Sequence, residues 1–128
     1  MQKRELISSG TSWENIIGYS RAVKVGNVIE ISGTTAVDGD TIIGEGNVFE
    51  QAVFIFKKIE KTLQDAGSSL EDVVRTRMYV MDISHWQEVG KAHELFFKNI
   101  KPATSMIEVS NLIDTRLLIE IEATAIIP

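Results

Sequence analysis

Two segments near the end of the chain alternate between apolar and polar residues, and this alternation constrains the fold more than any other feature. The segments are residues 101–109 (KPATSMIEV) and 118–123 (LIEIEA). Successive side chains of a strand point to opposite faces, so each segment predicts a β-strand with two different faces. One face is expected to carry Ser105, Ile107, Val109, Ile119, Ile121 and Ala123. The other face is expected to carry Thr104, Met106, Glu108, Glu120 and Glu122.

A strand expected at residues 73–81 adds basic residues to the carboxylate-bearing face. Its alternation directs Val74, Thr76, Met78 and Val80 toward the helices, and Arg75, Arg77 and Tyr79 away from them. Arg77 should therefore lie on the same face as Glu120. Such a face can be a solvated, salt-bridged surface, but Met106 and Leu118 make it more apolar than a wholly exposed sheet. Packing against other copies of the chain explains this composition better.

Turn residues define the first strands. Leu6-Ile7 predicts a short first strand, and Gly26-Asn27 predicts a hairpin between residues 19–25 and 28–33. Glycine and asparagine adopt the positive φ angles that a two-residue hairpin turn requires.

Two helices are expected between the strands. Asn47 can cap the first helix, Gly67 can end it in a left-handed conformation, and Ser84 can begin the second. Apolar stripes at helical spacing support both, namely Phe49, Ala52, Val53, Phe56, Ile59 and Leu63, then Trp86, Val89, His93 and Phe96. The order of elements predicts one α+β domain, residues 1–128, with a mixed β-sheet and both helices packed on one face.

Composition limits the partners and the chemistry of the chain. The formal net charge is −5, and no basic run exceeds Lys3-Arg4 or Lys57-Lys58. Nucleic-acid binding is disfavoured, because a phosphate backbone usually meets a clustered basic face. There is no cysteine, and the two histidines lie far apart, so neither a metal nor another cofactor is expected. Without an apolar run that resembles a membrane span or a signal peptide, we expect a cytoplasmic protein that does not bind membranes.

The chain resembles the Rid (RidA/YjgF, endoribonuclease L-PSP-like) family of small trimeric proteins. The last two strands of that family typically read Pro-Ala-Arg-Ser-Cys-Val-Glu-Val and Ile-Glu-Ile-Glu-Ala, close to residues 102–109 and 119–123 here. Further matches occur in the family's order at Tyr19-Ser20-Arg21-Ala22-Val23, Gly26-Asn27, Ile31-Ser32-Gly33, residues 66–74 (AGSSLEDVV) and Phe96-Phe97. The resemblance implies a chorismate mutase-like fold and a homotrimer with ligand clefts between neighbouring subunits.

The resemblance also implies a reaction and a set of site residues. In active members, a glutamate on the last strand positions the water that attacks a 2-imino or 2-enamino acid, which releases ammonia and a 2-keto acid. Glu120 corresponds to this glutamate, and Tyr19 corresponds to a second catalytic residue. The remaining pocket positions correspond to Ser32, Gly33, Thr104, Met106 and His93. From the residues alone, Glu120 can equally be a structural ion-pair partner, and His93 can be a packed core residue.

Position 104 departs from the family pattern. Thr104 stands where active members have the arginine that holds the substrate carboxylate. A neutral hydroxyl does not reproduce the bidentate contact between a guanidinium and a carboxylate. Arg77 can supply this contact from a neighbouring strand, or it can simply neutralise carboxylates at the subunit interface.

Three functions are compatible with these features. The first is hydrolytic deamination of a reactive imine or enamine, or a related reaction of a small metabolite, at clefts between subunits. The second is a non-catalytic trimer that binds a small ligand or acts as a chaperone, which the missing arginine favours. The third is an endoribonuclease or translation inhibitor, which the acidic net charge disfavours. The expected partner is a small metabolite, for which a carboxylate-bearing compound is one candidate.

Overall fold

The computed structural model describes residues 3–128 of the chain. Eight strands and three α-helices follow one another in this part of the sequence. The strands are β1 (Arg4–Ile7), β2 (Ala22–Val25), β3 (Val28–Thr34), β4 (Val37–Asp38), β5 (Thr41–Ile42), β6 (Val73–Val80), β7 (Ala103–Glu108) and β8 (Ile119–Ile126). The helices are α1 (Ser12–Ile17), α2 (Val48–Asp65) and α3 (Trp86–Phe97). No helix within residues 3–128 is both long enough and apolar enough to cross a bilayer.

Six strands form one mixed sheet in the order β1-β2-β3-β8-β6-β7, and β4 pairs with β5 separately. Neighbouring strands of the large sheet are antiparallel except β6 and β7, which are parallel. A parallel pair needs a crossover connection, and α3 lies in that connection. The last strand, β8, is inserted at the centre of the sheet, whereas β7 lies at its edge. The predicted α+β fold class is confirmed.

The hydrophobic core lies between the sheet and the two long helices, α2 and α3. Phe56 of α2 is fully buried and packs edge-on against Phe97 of α3, with 5.5 Å between the ring centroids. Other fully buried apolar residues include Ile29, Ala52, Ile55, Ile59, Leu63, Val89, Ala92, Ile119 and Ile121. Removing these side chains from water is the main favourable contribution to folding. The helices therefore cover the face of the sheet that carries Ile119 and Ile121.

Both ends of α2 are as the sequence predicts, whereas the start of α3 is not. Asn47 caps α2 with a 3.1 Å hydrogen bond, and Gly67 follows the helix with a φ of 81°, as predicted. Before the second helix, Asp82 caps the segment Ile83–His85, and its carboxylate accepts a 3.0 Å hydrogen bond from the backbone N–H of Ser84. A 3₁₀ turn precedes α3, and Trp86 is 55% exposed, so its predicted place in the buried stripe is wrong.

The first strand and the hairpin are confirmed. β1 contains Leu6-Ile7, and β2 pairs with β3 across a turn in which Gly26 has a φ of 60°. The sequence does not predict α1, because this helix has six residues and its apolar side chains are mainly exposed. Its buried residue is Glu14, which accepts a 3.1 Å hydrogen bond from the backbone N–H of Ser9.

A β-bulge changes the faces at the start of β6. Val73 pairs with Ala125 and Arg75 pairs with Thr124, which leaves Val74 as the extra residue. Val73 is 3% exposed and Val74 is 42% exposed, so the expectation that Val74 faces the helices is wrong. Beyond the bulge, the predicted inward direction is confirmed for the buried residues Thr76, Met78 and Val80.

The faces of β7 are the reverse of those predicted. In the parallel pairing with β6, Thr104 lies beside Thr76 and Met106 lies beside Met78. Neighbouring residues in this register share a face, so the two β7 residues face the helices and not the side of Glu120. Contrary to the prediction, Thr104, Met106 and Glu108 face the helices, and Ser105 and Ile107 face away from them. The alternation of apolar and polar residues did not identify the buried face of β7, because this edge strand has apolar residues on both faces.

Candidate active site

A carboxylate from the centre of the sheet lies directly against a glycine of the neighbouring strand. Glu120 belongs to β8, is half-buried, and shares a face with its strand partner Tyr79. The pairing of β3 with β8 is irregular between Ile31 and Thr34, and Gly33 lies in this irregular part. A Cβ atom added at Gly33 would collide with Glu120 Oε2 and would lie 2.9 Å from Glu120 Cδ. Glu120 can keep this conformation only if residue 33 is glycine.

Arg21 contacts the backbone of Gly33 and the ring of Tyr19. Its Nη2 donates a 2.7 Å hydrogen bond to the carbonyl oxygen of Gly33. Its guanidinium carbon lies 6.0 Å from the centroid of the Tyr19 ring, which is within cation–π range. Arg21 Nε is buried and has no hydrogen-bond partner among residues 3–128. One guanidinium therefore holds the segment of Tyr19 next to the glycine that contacts Glu120.

The surroundings of Glu120 favour its protonated form. Burial raises the pKa of Glu120, because the charged carboxylate loses hydration. The negative charge of Glu122 raises the pKa further, whereas the positive charge of Arg21 opposes both effects, and the net shift is upward. A carboxylate with a raised pKa accepts a proton more readily than an exposed one, which is the property needed in a general base.

Replacing Arg21 with glutamine should raise the pKa of Glu120 further, because the nearby positive charge that stabilises the carboxylate is removed. Titration of the Glu120 carboxyl carbon by ¹³C NMR measures this shift directly. The matched control is Arg75→Gln, since Arg75 donates to Ser105 and should leave the titration of Glu120 unchanged. A midpoint that moves to lower pH in Arg21→Gln would contradict this account of the electrostatics.

Ser32 is hydrogen-bonded within its own protomer. Its hydroxyl donates a 2.6 Å hydrogen bond to the carbonyl oxygen of Ser20. Its backbone N–H donates a 3.0 Å hydrogen bond to the carbonyl oxygen of Arg21. A hydroxyl has one hydrogen, so Ser32 can offer a ligand only acceptor lone pairs in this arrangement. Ser32 therefore fixes the segment that carries Arg21 and Tyr19.

The arginines beside Glu122 do not form ion pairs with carboxylates of residues 3–128. Arg77 is the strand partner of Glu122, but the ion pairs found in this part of the chain lie elsewhere. Arg75 Nη2 instead donates a 2.7 Å hydrogen bond to Ser105 Oγ, and Tyr79 donates a 3.1 Å hydrogen bond to Glu122 Oε1. Arg77 does share a face with the carboxylates, as predicted. Its role in binding an anion stays a prediction.

A second group of polar side chains lies on the helix-facing side of β7. Thr76 Oγ1 is 2.9 Å from His93 Nε2 and 2.6 Å from Thr104 Oγ1. His93 packs between the rings of Phe56 and Phe97, at centroid distances of 5.6 and 4.7 Å. Burial lowers the pKa of His93, so its imidazole is neutral near pH 7. His93 is therefore a packed and hydrogen-bonded residue, as the simpler interpretation of its position proposed.

Apart from Arg77, the predicted site residues divide into two clusters. The carboxylate cluster consists of Glu120, Tyr19, Ser32, Gly33 and Arg21. The threonine cluster consists of Thr104, Met106, Thr76 and His93. Because Glu120 and Thr104 lie on opposite faces of one sheet, a single protomer does not bring them to the same ligand. Arg21 and Thr76 are the members that the sequence analysis missed, although Arg21 belongs to a segment that matches the resembled family.

A cleft of about 370 Å³ lies away from both clusters, between the start of α2 and the start of α3. Apolar side chains of Phe49, Met81 and Leu118 line it together with His85 and Glu88. No member of the carboxylate or threonine cluster lines this cleft, so it does not provide the predicted site.

Comparison with known proteins gives matches over almost the whole chain. The family model described as Endoribonuclease L-PSP matches residues 10–127. A RutC family protein of Pyrococcus abyssi is 35% identical over 123 residues, which cover 95% of this chain and 96% of the relative. A crystal structure of a YjgF/YER057c/UK114 family member from Mycobacterium tuberculosis has a TM-score of 0.88 and 45% identity, covering 98% of this chain and 100% of that chain. A crystal structure of a Rid family protein from Yersinia pestis has a TM-score of 0.86 and 26% identity, covering 98% of this chain and 100% of that chain.

Proposed function

Since this chain belongs to the endoribonuclease L-PSP family, whose members are also named YjgF, RutC or Rid proteins, we propose that it is a hydrolytic deaminase. Its substrate is a small reactive imine or enamine, bound in clefts between the subunits of a homotrimer. The observation that best supports this proposal is the half-buried carboxylate of Glu120, which lies against Gly33 and has a raised pKa.

Glu120 acts as the general base in the proposed reaction. It accepts a proton from a water molecule while the oxygen of that water attacks the carbon of the C=N bond. The proton then passes to the nitrogen, which gives a carbinolamine. The hydroxyl proton of this intermediate is transferred to the nitrogen as the C–N bond breaks, so ammonia leaves and a carbonyl group forms. One water is consumed for each ammonia released, and no electrons are exchanged with a cofactor. Raising the pKa of a carboxylate toward neutrality makes it a better base at physiological pH.

Tyr19 completes the carboxylate side of the cleft. The residue is 39% exposed, and its ring lies beside the Arg21 guanidinium. A phenol can donate a hydrogen bond to the imine nitrogen or to the attacking water. We assign Tyr19 to this orienting role in the reaction.

A cleft between two copies of the chain is supported by the opposite faces of Glu120 and Thr104. A second copy can place its threonine cluster opposite the carboxylate cluster of the first, which a single sheet does not achieve. Exposed apolar residues on several strands, namely Leu6, Val25, Val28, Ile107 and Ile126, favour burial of this sheet surface against other copies. Closed cyclic symmetry with three copies would give three equivalent clefts.

Glu120→Gln should lower the rate of imine hydrolysis about 100-fold or more, because an amide cannot accept the proton from water. The assay is ammonia release from freshly generated imines, both with a carboxylate, such as 2-iminobutyrate or 2-aminoacrylate, and without one. Glu30→Gln is the matched control, since Glu30 is an exposed carboxylate of the same sheet that bonds to Thr124 and does not contact Glu120.

Two results would contradict the proposal. A Glu120→Gln protein with the wild-type rate would place the chemistry elsewhere. A wild-type protein that accelerates ammonia release from neither kind of imine would leave ligand binding without turnover as the function. Thr104→Arg belongs in the same series, because a gain of activity on the imino acids would identify a scaffold that lacks only an anion-binding group.

A further inference from the structure

The threonine cluster contains a connected series of hydrogen bonds that ends at the surface. His93 is largely buried between aromatic rings, Thr76 is fully buried, and Thr104 is exposed on the edge strand β7. The Thr76 hydroxyl is within hydrogen-bonding distance of both neighbours, at 2.9 Å from His93 Nε2 and 2.6 Å from Thr104 Oγ1. A buried imidazole is thus connected through one hydroxyl to a second hydroxyl that a ligand can reach.

The Thr76 hydroxyl has one hydrogen, so the direction of one of these bonds determines the direction of the other. The Thr76 hydroxyl donates to Thr104 Oγ1, which uses its only hydrogen. Thr76 must then accept from His93, so Nε2 of the neutral imidazole carries the proton. The hydrogen of the Thr104 hydroxyl is not used in this series and has no acceptor among residues 3–128. Thr104 therefore presents a donor to the outside, and the bonds behind it polarise that donor.

The charges around Thr104 favour an uncharged ligand group. Burial lowers the pKa of His93, so the interior end of the series is neutral near pH 7. No lysine or arginine within residues 3–128 donates a hydrogen bond to Thr76, Thr104 or His93. In the proposed cleft, the opposite wall contributes the Glu120 carboxylate. A ligand carboxylate beside Thr104 would lose hydration, gain one neutral hydrogen bond and meet a like charge.

We propose that Thr104, supported by Thr76 and His93, determines substrate specificity by binding an uncharged oxygen acceptor, such as an amide or ester carbonyl, in preference to a carboxylate. This inference rests on the two-copy cleft of the proposed function and narrows its substrate class. The substrate is then an imine or enamine whose neighbouring carbonyl group is not ionised. A site that offers one neutral hydrogen-bond donor and no cation discriminates against a carboxylate, because the charge of the carboxylate stays uncompensated. An uncharged carbonyl oxygen accepts the same hydrogen bond without this cost.

The test compares the binding of two product analogues that differ in this group. Isothermal titration calorimetry gives the dissociation constants of 2-oxobutanamide and 2-oxobutanoate for the assembled wild-type protein. We expect the amide to bind at least about threefold more tightly. Thr104→Val, which keeps the shape and removes the hydroxyl, should weaken amide binding about 3- to 10-fold and leave carboxylate binding within about twofold.

Two further variants separate specificity from structural damage. Thr104→Ser keeps the hydroxyl and should retain the preference for the amide, whereas Thr104→Arg should reverse it by supplying a guanidinium for the carboxylate. Equal behaviour of the serine and valine variants would overturn the proposal. So would wild-type protein that binds the carboxylate as tightly as the amide, or that binds neither compound.

The ratio of the two dissociation constants is measured without turnover, so its outcome is independent of the hydrolysis assay. If Glu120→Gln leaves ammonia release unchanged while Thr104→Val abolishes the amide preference, the proposed reaction fails and the specificity assignment stands. If Glu120→Gln removes activity while the wild-type protein prefers the carboxylate, the reaction stands and the specificity assignment fails.

Discussion

Replacing Gly33 with alanine should lower the rate of imine hydrolysis about 100-fold while the protein stays folded. The added Cβ would occupy the position of Glu120 Oε2 and would crowd Cδ at 2.9 Å, so the Glu120 side chain must adopt another conformation. A displacement of about 1 Å in a reacting group can cost a factor of about 100 in rate. Stability should change little, because the colliding atoms belong to the end of a flexible side chain and the backbone of Gly33 has no positive φ.

A double-mutant cycle tests whether this loss acts through Glu120. If Gly33→Ala only misplaces the carboxylate, adding it to Glu120→Gln should cause no further loss of activity. Thermal unfolding of each variant, followed by circular dichroism, provides the measure of folding. Additive losses, or a Gly33→Ala protein with wild-type activity, would show that contact with Gly33 does not position the catalytic group.

Replacing Gln51 with leucine should destabilise the protein by about 2 to 4 kcal/mol, because three backbone groups each lose a hydrogen bond and two of them, the carbonyl of Arg116 and the N–H of Leu118, lose their partner. Gln51 is fully buried on α2. Its Nε2 donates to the carbonyl oxygens of Arg116 at 3.0 Å and Gly44 at 3.3 Å, and its Oε1 accepts a 2.8 Å hydrogen bond from the N–H of Leu118. Leucine has a similar volume but satisfies none of these groups. The residue thus fixes the loop that leads into β8 and Glu120.

Chemical denaturation measures this effect, and the corresponding fall in melting temperature should be about 10 °C. The matched control is Gln64→Leu, a change of the same type at an exposed position of α2, which should alter stability by less than about 0.5 kcal/mol. A Gln51→Leu protein as stable as this control would mean that water or a rearranged loop satisfies the three backbone groups.

The elements that were predicted correctly are those with strong local signals. The turn at Gly26, the cap at Asn47 and the terminal Gly67 each act through residues adjacent in sequence, and each is confirmed. The predicted start of α3 at Ser84 was wrong because Asp82 caps a 3₁₀ turn over Ile83–His85, and α3 begins after this turn at Trp86. The short helix α1 was missed because it has six residues, too few for a helical pattern to stand out, and its apolar residues Trp13, Ile16 and Ile17 are exposed.

The candidate site was predicted less completely, because its geometry depends on contacts between distant residues. The contact of Gly33 with Glu120 and the hydrogen bond from Arg21 to Gly33 form only when β2, β3 and β8 are paired. The face of Thr104 depends on the register between β6 and β7, which alternation within one strand does not determine. Family resemblance supplied Glu120 and Thr104 as positions, but it did not supply Thr76 as the polar neighbour of Thr104.

The unequal positions of β8 and β7 in the sheet affect how such proteins can diversify. Glu120 lies on a strand with neighbours on both sides, where most replacements would disturb packing. Thr104 is exposed on a strand with one neighbour, where replacements are tolerated at small cost. In the proposed cleft, the wall that carries Thr104 can therefore drift toward new compounds after gene duplication, while purifying selection preserves the wall that carries Glu120.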